Sequence, residues 1–250
     1  MRFDGKVAFV TGGAIGFGRE FARALAAEGA SIAIADIDLP AAEKTVLELE
    51  GSGARAMAVP CDVTDDEQVE RAVRAVAANF GGIDILLNNA GKHLSKYNQP
   101  FGALPRHEVR ALFEVNVMGV INCSLSCRDI MRERGGGSIV SMASISGHTP
   151  TTPYGVSKLA VRGLTMAFAT EFADAGIRVN AVSPGLMGTE SALADLPQAT
   201  MDALVNERQL IHRLITTGDV VPTVMFLCSD EASLITGQTI MISGGYPLGI

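Results

Sequence analysis

The chain has 250 residues, of which 48% are hydrophobic, and a net charge of −7. That length and apolar content suit one sizeable α/β core, and the acidic balance excludes a surface built to grip nucleic-acid phosphates. The longest apolar runs are of strand length, far short of the ~20 residues of a membrane span, and residues 1–6 lead into a strand with no apolar signal region, so a cytoplasmic protein with no membrane partner is expected by default.

Short runs rich in Val, Ile, Leu and Ala alternate with helix-length segments from end to end. The pattern predicts strands at 6–11, 31–36, 55–60, 83–88, 137–142, 177–182 and 238–242. It predicts helices at 16–28, 41–50, 65–80, 107–134 and 153–175. Most of the strands are continuous apolar runs, as parallel strands buried on both faces read. Repeated strand–helix units imply a parallel sheet with helices on both sides, and right-handed crossovers favour a doubly wound arrangement. With no linker or internal repeat, 1–250 reads as one domain.

The first strand runs into Thr11-Gly12-Gly13-Ala14-Ile15-Gly16-Phe17-Gly18, which opens the first helix. Glycines there permit a tight turn and let backbone N–H groups approach a pyrophosphate at the helix N-terminus. The spacing is G-x-x-x-G-x-G, not the usual G-x-G-x-x-G. The second strand ends at Asp36, eighteen residues beyond Gly18. A carboxylate there accepts from both adenosine ribose hydroxyls and repels a 2′-phosphate. Its neighbours Ile37 and Asp38 offer such a phosphate no basic partner, so NAD is expected over NADP. The plain alternative for Asp36 is a strand-end turn residue.

Four cysteines follow along the chain: Cys61, Cys123, Cys127 and Cys228. Cys123 and Cys127 share a helical face, but two thiols do not complete a tetrahedral site, so no metal is expected and all four read as buried and reduced. Tyr154 and Lys158 stand four residues apart in Tyr154-Gly155-Val156-Ser157-Lys158, on one face of a helix. An ammonium beside a phenol favours the phenolate, and lowering a pKa of roughly 10 by ~3 units needs ~4 kcal/mol. Such a pair is more often a solvated helix face, so the surrounding motifs decide its meaning. The regular alternation fails at 186–217, which carries apolar Leu193, Leu196, Met201, Leu204, Leu210 and Ile211 and is too long for an ordinary connection. It reads as a helical lid over a pocket, or else as an extra packing helix.

In this order the motifs resemble the short-chain dehydrogenase/reductase family over essentially the whole chain. They are the 11–18 turn, Asp62 after strand three, Asn88-Asn89-Ala90-Gly91 after strand four, Asn116 in a long helix, serines after strand five, Tyr154 with Lys158, and Pro184-Gly185 with Thr189 after strand six. The resemblance implies an α/β Rossmann domain with a seven-stranded, mainly parallel sheet in the order 3-2-1-4-5-6-7. It implies that NAD lies along Gly12, Ala14, Ile15, Gly16, Gly18, Asp36 and Ile37, with Asp62 and Val63 bordering the adenine. Asn89, Ala90 and Gly91 would form the cofactor floor. Pro184, Gly185, Met187 and Thr189 would surround the nicotinamide end, with Thr189 holding the carboxamide. Tyr154 would be the general acid/base, and Lys158 would bind the nicotinamide ribose and depress the phenol pKa. Asn116 would anchor a water relay to Lys158, and a serine would hold the substrate oxygen. Family members are often homotetramers, so a homotetramer is expected.

The serine has competing assignments. The family's common spacing, thirteen residues before the tyrosine, points to Ser141. Its Ser-x-x-Gly pattern points to Ser144, which is preferred because catalytic groups belong at the carboxyl end of a strand and Ser141 lies within one. Ser146 is a third alternative. A loop shortened before Thr152-Pro153, a good helix start, accounts for the spacing. The apolar lid and the lack of an arginine near the chemistry suggest a neutral, moderately hydrophobic secondary alcohol or ketone. Ser144, Ser146, His148, Tyr154 and His93 are expected around it, and the polar loop Tyr97-Asn98-Gln99 is a further possible wall. The alternatives are an NADPH-dependent carbonyl or 3-oxoacyl-carrier reductase, against which Asp36 argues, and a non-catalytic nucleotide-binding scaffold, which would be free to lose Tyr154, Lys158 and Asn116.

Overall fold

The computed structural model describes residues 1–187 and 198–248. Seven strands form one sheet in the order β3-β2-β1-β4-β5-β6-β7. They are β1 (Val7–Thr11), β2 (Ser31–Asp36), β3 (Ala56–Pro60), β4 (Ile85–Asn88), β5 (Gly137–Met142), β6 (Ile177–Pro184) and β7 (Thr239–Ile242). Every neighbouring pair is parallel. The connecting helices are α1 (Gly16–Ala27), α2 (Leu39–Gly51), α3 (Asp66–Phe80), α4 (Leu94–Tyr97), α5 (Arg106–Phe113), α6 (Gly119–Glu133), α7 (Pro153–Glu171), α8 (Gln198–Ala203) and α9 (Thr217–Cys228). Among the described residues no helix is long and apolar enough to cross a membrane.

The period of two along each strand divides the core into two layers. Ala8 and Val10 of β1, Ile32 and Ile34 of β2, and Ile85 and Leu87 of β4 face one side, against Phe21 and Leu25 of α1, Val46 and Leu49 of α2, and Val220 and Val224 of α9. Phe9, Ala33 and Leu86 face the other side, against Val69 and Val73 of α3, Cys123 and Cys127 of α6, and Phe168 of α7. Continuous apolar strands are thus explained: both faces are covered. Strand order reverses between β1 and β4, so the turns after these strands border the crevice where a ligand sits in such sheets.

Two elements differ from expectation. The long helix expected over 107–134 is broken by a π turn at Glu114–Met118, which carries Asn116. β6 continues two residues past 182, because Ser183 and Pro184 pair with Met241 and Ile242 of β7. Of the expected lid at 186–217, the described part comprises α8, a π turn at Leu204–Arg208 and an extended return. That return is pinned to the C-terminal turn, where Leu210 and Ile211 N–H groups donate to the Gly244 carbonyl at 2.8 and 2.9 Å. Tyr246 beyond it accepts from Arg208 at 3.2 Å, so the tail through this point docks on its own chain. Leu193 and Leu196 lie outside the described residues.

Candidate active site

The crevice is built from two turns stitched together. Thr11 Oγ1 donates to the Leu87 carbonyl at 3.1 Å and accepts the N–H groups of Asn89 and Ala90, each at 3.1 Å. Asn89 Nδ2 donates to the carbonyls of Thr11 at 3.0 Å and Gly12 at 2.8 Å. The turns approach so closely that a Cβ on Gly12 would sit 2.8 Å from Ala90 Cα, and one on Gly18 would collide with the Gly12 carbonyl oxygen. Gly16 has a φ of 57° in open space. α1 then starts at Ile15 with no side-chain cap, which leaves its first amides free for an anion.

Asp36 stands at the end of β2, where its carboxylate accepts from the N–H groups of Ala14 and Asp38, each at 3.0 Å. Ile37 beside it is 74% exposed. Asp62 holds its own turn by accepting from Thr64 N at 2.9 Å and Thr64 Oγ1 at 2.8 Å, and the Val63 carbonyl accepts from Asn122 at 2.9 Å. Gly185 N–H donates to Ile242 O at 2.9 Å, which sets the Pro184-Gly185 turn, and Met187 bridges to Ile215. Thr189 lies outside the described residues. A narrow glycine cradle, uncapped helix amides and a strand-end carboxylate are what a nicotinamide dinucleotide requires, so the residues present fit that group.

Next to the crevice, α7 starts at Pro153 after Thr152, whose Oγ1 accepts from Gly155 N at 3.2 Å. This cap sets the phase that puts Tyr154 and Lys158 one above the other. Lys158 Nζ lies 5.7 Å from the centre of the Tyr154 ring and donates to the Met142 carbonyl at 2.7 Å. Tyr154 retains an open edge, but its hydroxyl end is enclosed and hydrogen-bonded with Ser144. Burial pushes the phenol up to about 12, with the Ser144 hydrogen bond pulling the other way. Burial also lowers Lys158 to about 8. The expected lowering of the phenol joins Lys158 with a bound cationic nicotinamide, and without that ring burial outweighs the lysine. The ammonium is itself driven toward neutrality and is directed at a backbone carbonyl, so burial dominates the phenol.

Asn116 braces the β4 turn against α7. Its Oδ1 accepts from Lys92 N at 2.8 Å and its Nδ2 donates to Ser157 Oγ at 3.1 Å. Ser157 donates in turn to the Tyr154 carbonyl at 2.7 Å. A Cβ on Gly91 would lie 3.3 Å from Asn116 Oδ1 and 3.8 Å from Lys158 Nζ, so all three converge. Both ends of the Asn116 amide are engaged, and its side chain makes no direct bond to Lys158.

The three candidate serines occupy different places. Ser141 is buried within β5, and its hydroxyl accepts from Asn88 Nδ2 at 3.3 Å, while Ser124 Oγ accepts from the same nitrogen at 3.1 Å. Ser144, past the strand end, is the serine at the Tyr154 hydroxyl, and its Oγ accepts from Ser146 N at 3.2 Å. His148 is turned to β6, with Nε2 3.1 Å from Ser183 Oγ, and burial lowers its pKa. His93 is exposed at the start of α4. Tyr97, read as part of a polar loop, is instead buried among Leu104 and Leu112. Sequence reasoning missed Thr11 and Ser157. The available signal for Ser157 was its position three residues after Tyr154, on the same helix face.

A family model described as enoyl-(acyl carrier protein) reductase matches residues 12–247. A probable short-chain type dehydrogenase/reductase of Bradyrhizobium diazoefficiens is 38% identical over 248 residues, covering 98% of this chain and 88% of that protein. The 7α-hydroxysteroid dehydrogenase of Escherichia coli is 34% identical over 248 residues, covering 98% and 95%. The solved structure of 7α-hydroxysteroid dehydrogenase complexed with NADH and 7-oxo glycochenodeoxycholic acid superposes with a TM-score of 0.91 at 31% identity, covering 98% of this chain and 95% of that one.

Proposed function

Because the chain belongs to the short-chain dehydrogenase/reductase family and is an oxidoreductase of that family, we propose that it transfers a hydride between NAD(H) and a secondary alcohol or ketone. The observation that carries this reading is the convergence of the Ser144 and Tyr154 hydroxyls beside Lys158, next to a cradle fitted to a dinucleotide. A bound nicotinamide dinucleotide supplies the hydride acceptor for oxidation and the donor for reduction. Tyr154 removes the proton from the substrate hydroxyl in oxidation and returns it to the oxygen in reduction. Ser144 donates to that same oxygen and fixes it against the phenol. Lys158 holds the ribose hydroxyls, and its charge joins that of the oxidised nicotinamide in favouring the phenolate. Asn116 and Ser157 keep the start of α7 in register with the β4 turn.

Asp36 supports NAD, since its carboxylate faces the place of the adenosine ribose with no basic neighbour at Ile37 or Asp38. The described part of 186–217 is rich in apolar residues, among them Met187, Met201, Leu204, Leu210 and Ile211, which supports a neutral, moderately hydrophobic substrate, with Ser146, His148 and His93 as further wall candidates and 186–217 as the lid of the single domain. The 7α-hydroxysteroid dehydrogenases among the relatives favour an alicyclic alcohol. Exposed Leu125 of α6 and Leu159 and Met166 of α7 support a homotetramer built on those helices. The test is a screen of secondary alcohols with NAD and NADP, read by the absorbance of the reduced nicotinamide. Turnover on no alcohol or ketone would refute the reading, and light scattering checks the tetramer. The description of the matching family model favours one second reading, an NADPH-dependent carrier-bound acyl reductase, and a strong NADPH preference in the same screen would overturn the NAD choice and favour that reading.

A further inference from the structure

We propose that Tyr97 and Glu108 form a clamp that fixes one wall of the substrate pocket and sets affinity for the alcohol; this rests on the hydride-transfer reading above. The segment 94–104 follows Gly91 and Lys92 and contains only α4 and a 3-10 turn at Phe101–Ala103, each too short to persist by itself. Something must hold it, and Tyr97 does. Its side chain is 3% exposed and packs with Leu104, Leu112, Val109 and Phe113, and with Tyr154 itself. A phenol buried this deeply needs a partner. Its hydroxyl donates to Glu108 Oε2 at 3.0 Å.

The other oxygen of Glu108 pairs with Lys96 Nζ at 2.8 Å, and that ammonium lies 5.7 Å from the centre of the Tyr97 ring. His107 Nε2 stands 3.7 Å from the same oxygen. One carboxylate of α5 thus ties down two side chains of α4. Burial first, and Glu108 next, raise the Tyr97 pKa, so its phenol stays a donor at neutral pH. Tyr154 packs against the cluster that the clamp holds, whereas the dinucleotide cradle is built from the ends of β1, β2 and β4. Tyr97 is therefore a positioning residue for substrate and not for cofactor.

The test uses an alcohol from the screen above. Tyr97→Phe and Glu108→Ala are each expected to loosen the wall and raise KM for the alcohol about tenfold, with kcat changed no more than about twofold and NADH affinity unchanged. Glu108→Gln keeps an acceptor for the phenol and should hold KM within about threefold. Amide exchange should quicken over 94–104 in the first two variants and stay unchanged over 11–18. An unchanged KM in Tyr97→Phe, or a parallel loss of NADH affinity, overturns the clamp. A wild-type protein without turnover would sink the hydride-transfer reading instead. Exchange would then still judge the clamp, and unaltered rates over 94–104 in Tyr97→Phe would overturn it.

Discussion

Lys158 is moored to Met142: its Nζ donates to that carbonyl oxygen at 2.7 Å, at the end of β5. This one bond accompanies a heavily desolvated charge, and burial lowers the lysine from 10.5 to about 8. Between those values Lys158 binds fewer protons in the folded chain than in the unfolded one, so its own contribution to the stability of the dinucleotide-free protein should rise with pH across that window. Above pH 9.0 that rise is opposed by the buried thiols of Cys61, Cys123, Cys127 and Cys228, whose pKa values burial raises.

Lys158→Met follows from the same shift. Below pH 8 the charged lysine carries a burial penalty of about 3 kcal/mol. The variant sheds this and forfeits a charge-assisted hydrogen bond worth about 2 kcal/mol. Urea unfolding of the apo protein at pH 7 should show a gain of about 1 kcal/mol that disappears above pH 10.5, alongside loss of turnover. A variant less stable than wild type at pH 7 would contradict the assigned penalty.

Tyr154→Phe should bind NADH as wild type does while kcat falls by about three orders of magnitude or more. Without dinucleotide the phenol is held up to about 12, above its usual 10. Difference absorbance between wild type and Tyr154→Phe should show this phenolate forming only at high pH in the apo protein. NAD, with its positive ring, should shift that titration downward and NADH should not. For oxidation, kcat/KM should accordingly rise with pH. Identical titrations with and without NAD would remove the nicotinamide from the account.

The two serines should separate cleanly. Ser144→Ala deletes the hydroxyl at Tyr154 and should lower kcat about a hundredfold with little change in unfolding. Ser141→Ala leaves Asn88 with one fewer partner inside the sheet and should cost about 1–2 kcal/mol of stability while kcat stays near normal. The opposite pattern would reassign the substrate oxygen to the strand.

Asp36→Ala removes the proposed ribose acceptor and frees the Ala14 and Asp38 amides. The ratio of kcat/KM for NAD over NADP should drop about ten- to hundredfold, the worth of hydrogen bonds to a charged group. An unaltered ratio would leave cofactor choice without its proposed determinant.

Much of the architecture was legible because it is written in local periodicity. The β2 and β5 boundaries match expectation, since apolar runs end there in Asp36 and Met142. The place of Ser144 past the end of β5 was legible from strand register, a local property. The π turn was not: Glu114-Val115-Asn116-Val117-Met118 has ordinary helical composition, and its irregularity accompanies bonds to Lys92 and Ser157, which are distant in sequence. Tyr97 was misread because its neighbours Asn98 and Gln99 are polar, while the partner that lets it be buried is Glu108. The upward Tyr154 shift in the dinucleotide-free chain was not legible, because spacing reveals a nearby cation and says nothing about how much water is lost.

The π turn at Glu114–Met118 amounts to one surplus residue in a helical run from Arg106 to Glu133. Each residue advances a helix by about 100°, so excising one would yield a smoother rod whose two halves face directions differing by more than a quarter revolution. Such a deletion mutant would gain regular backbone bonding yet disconnect Asn116 from its neighbours.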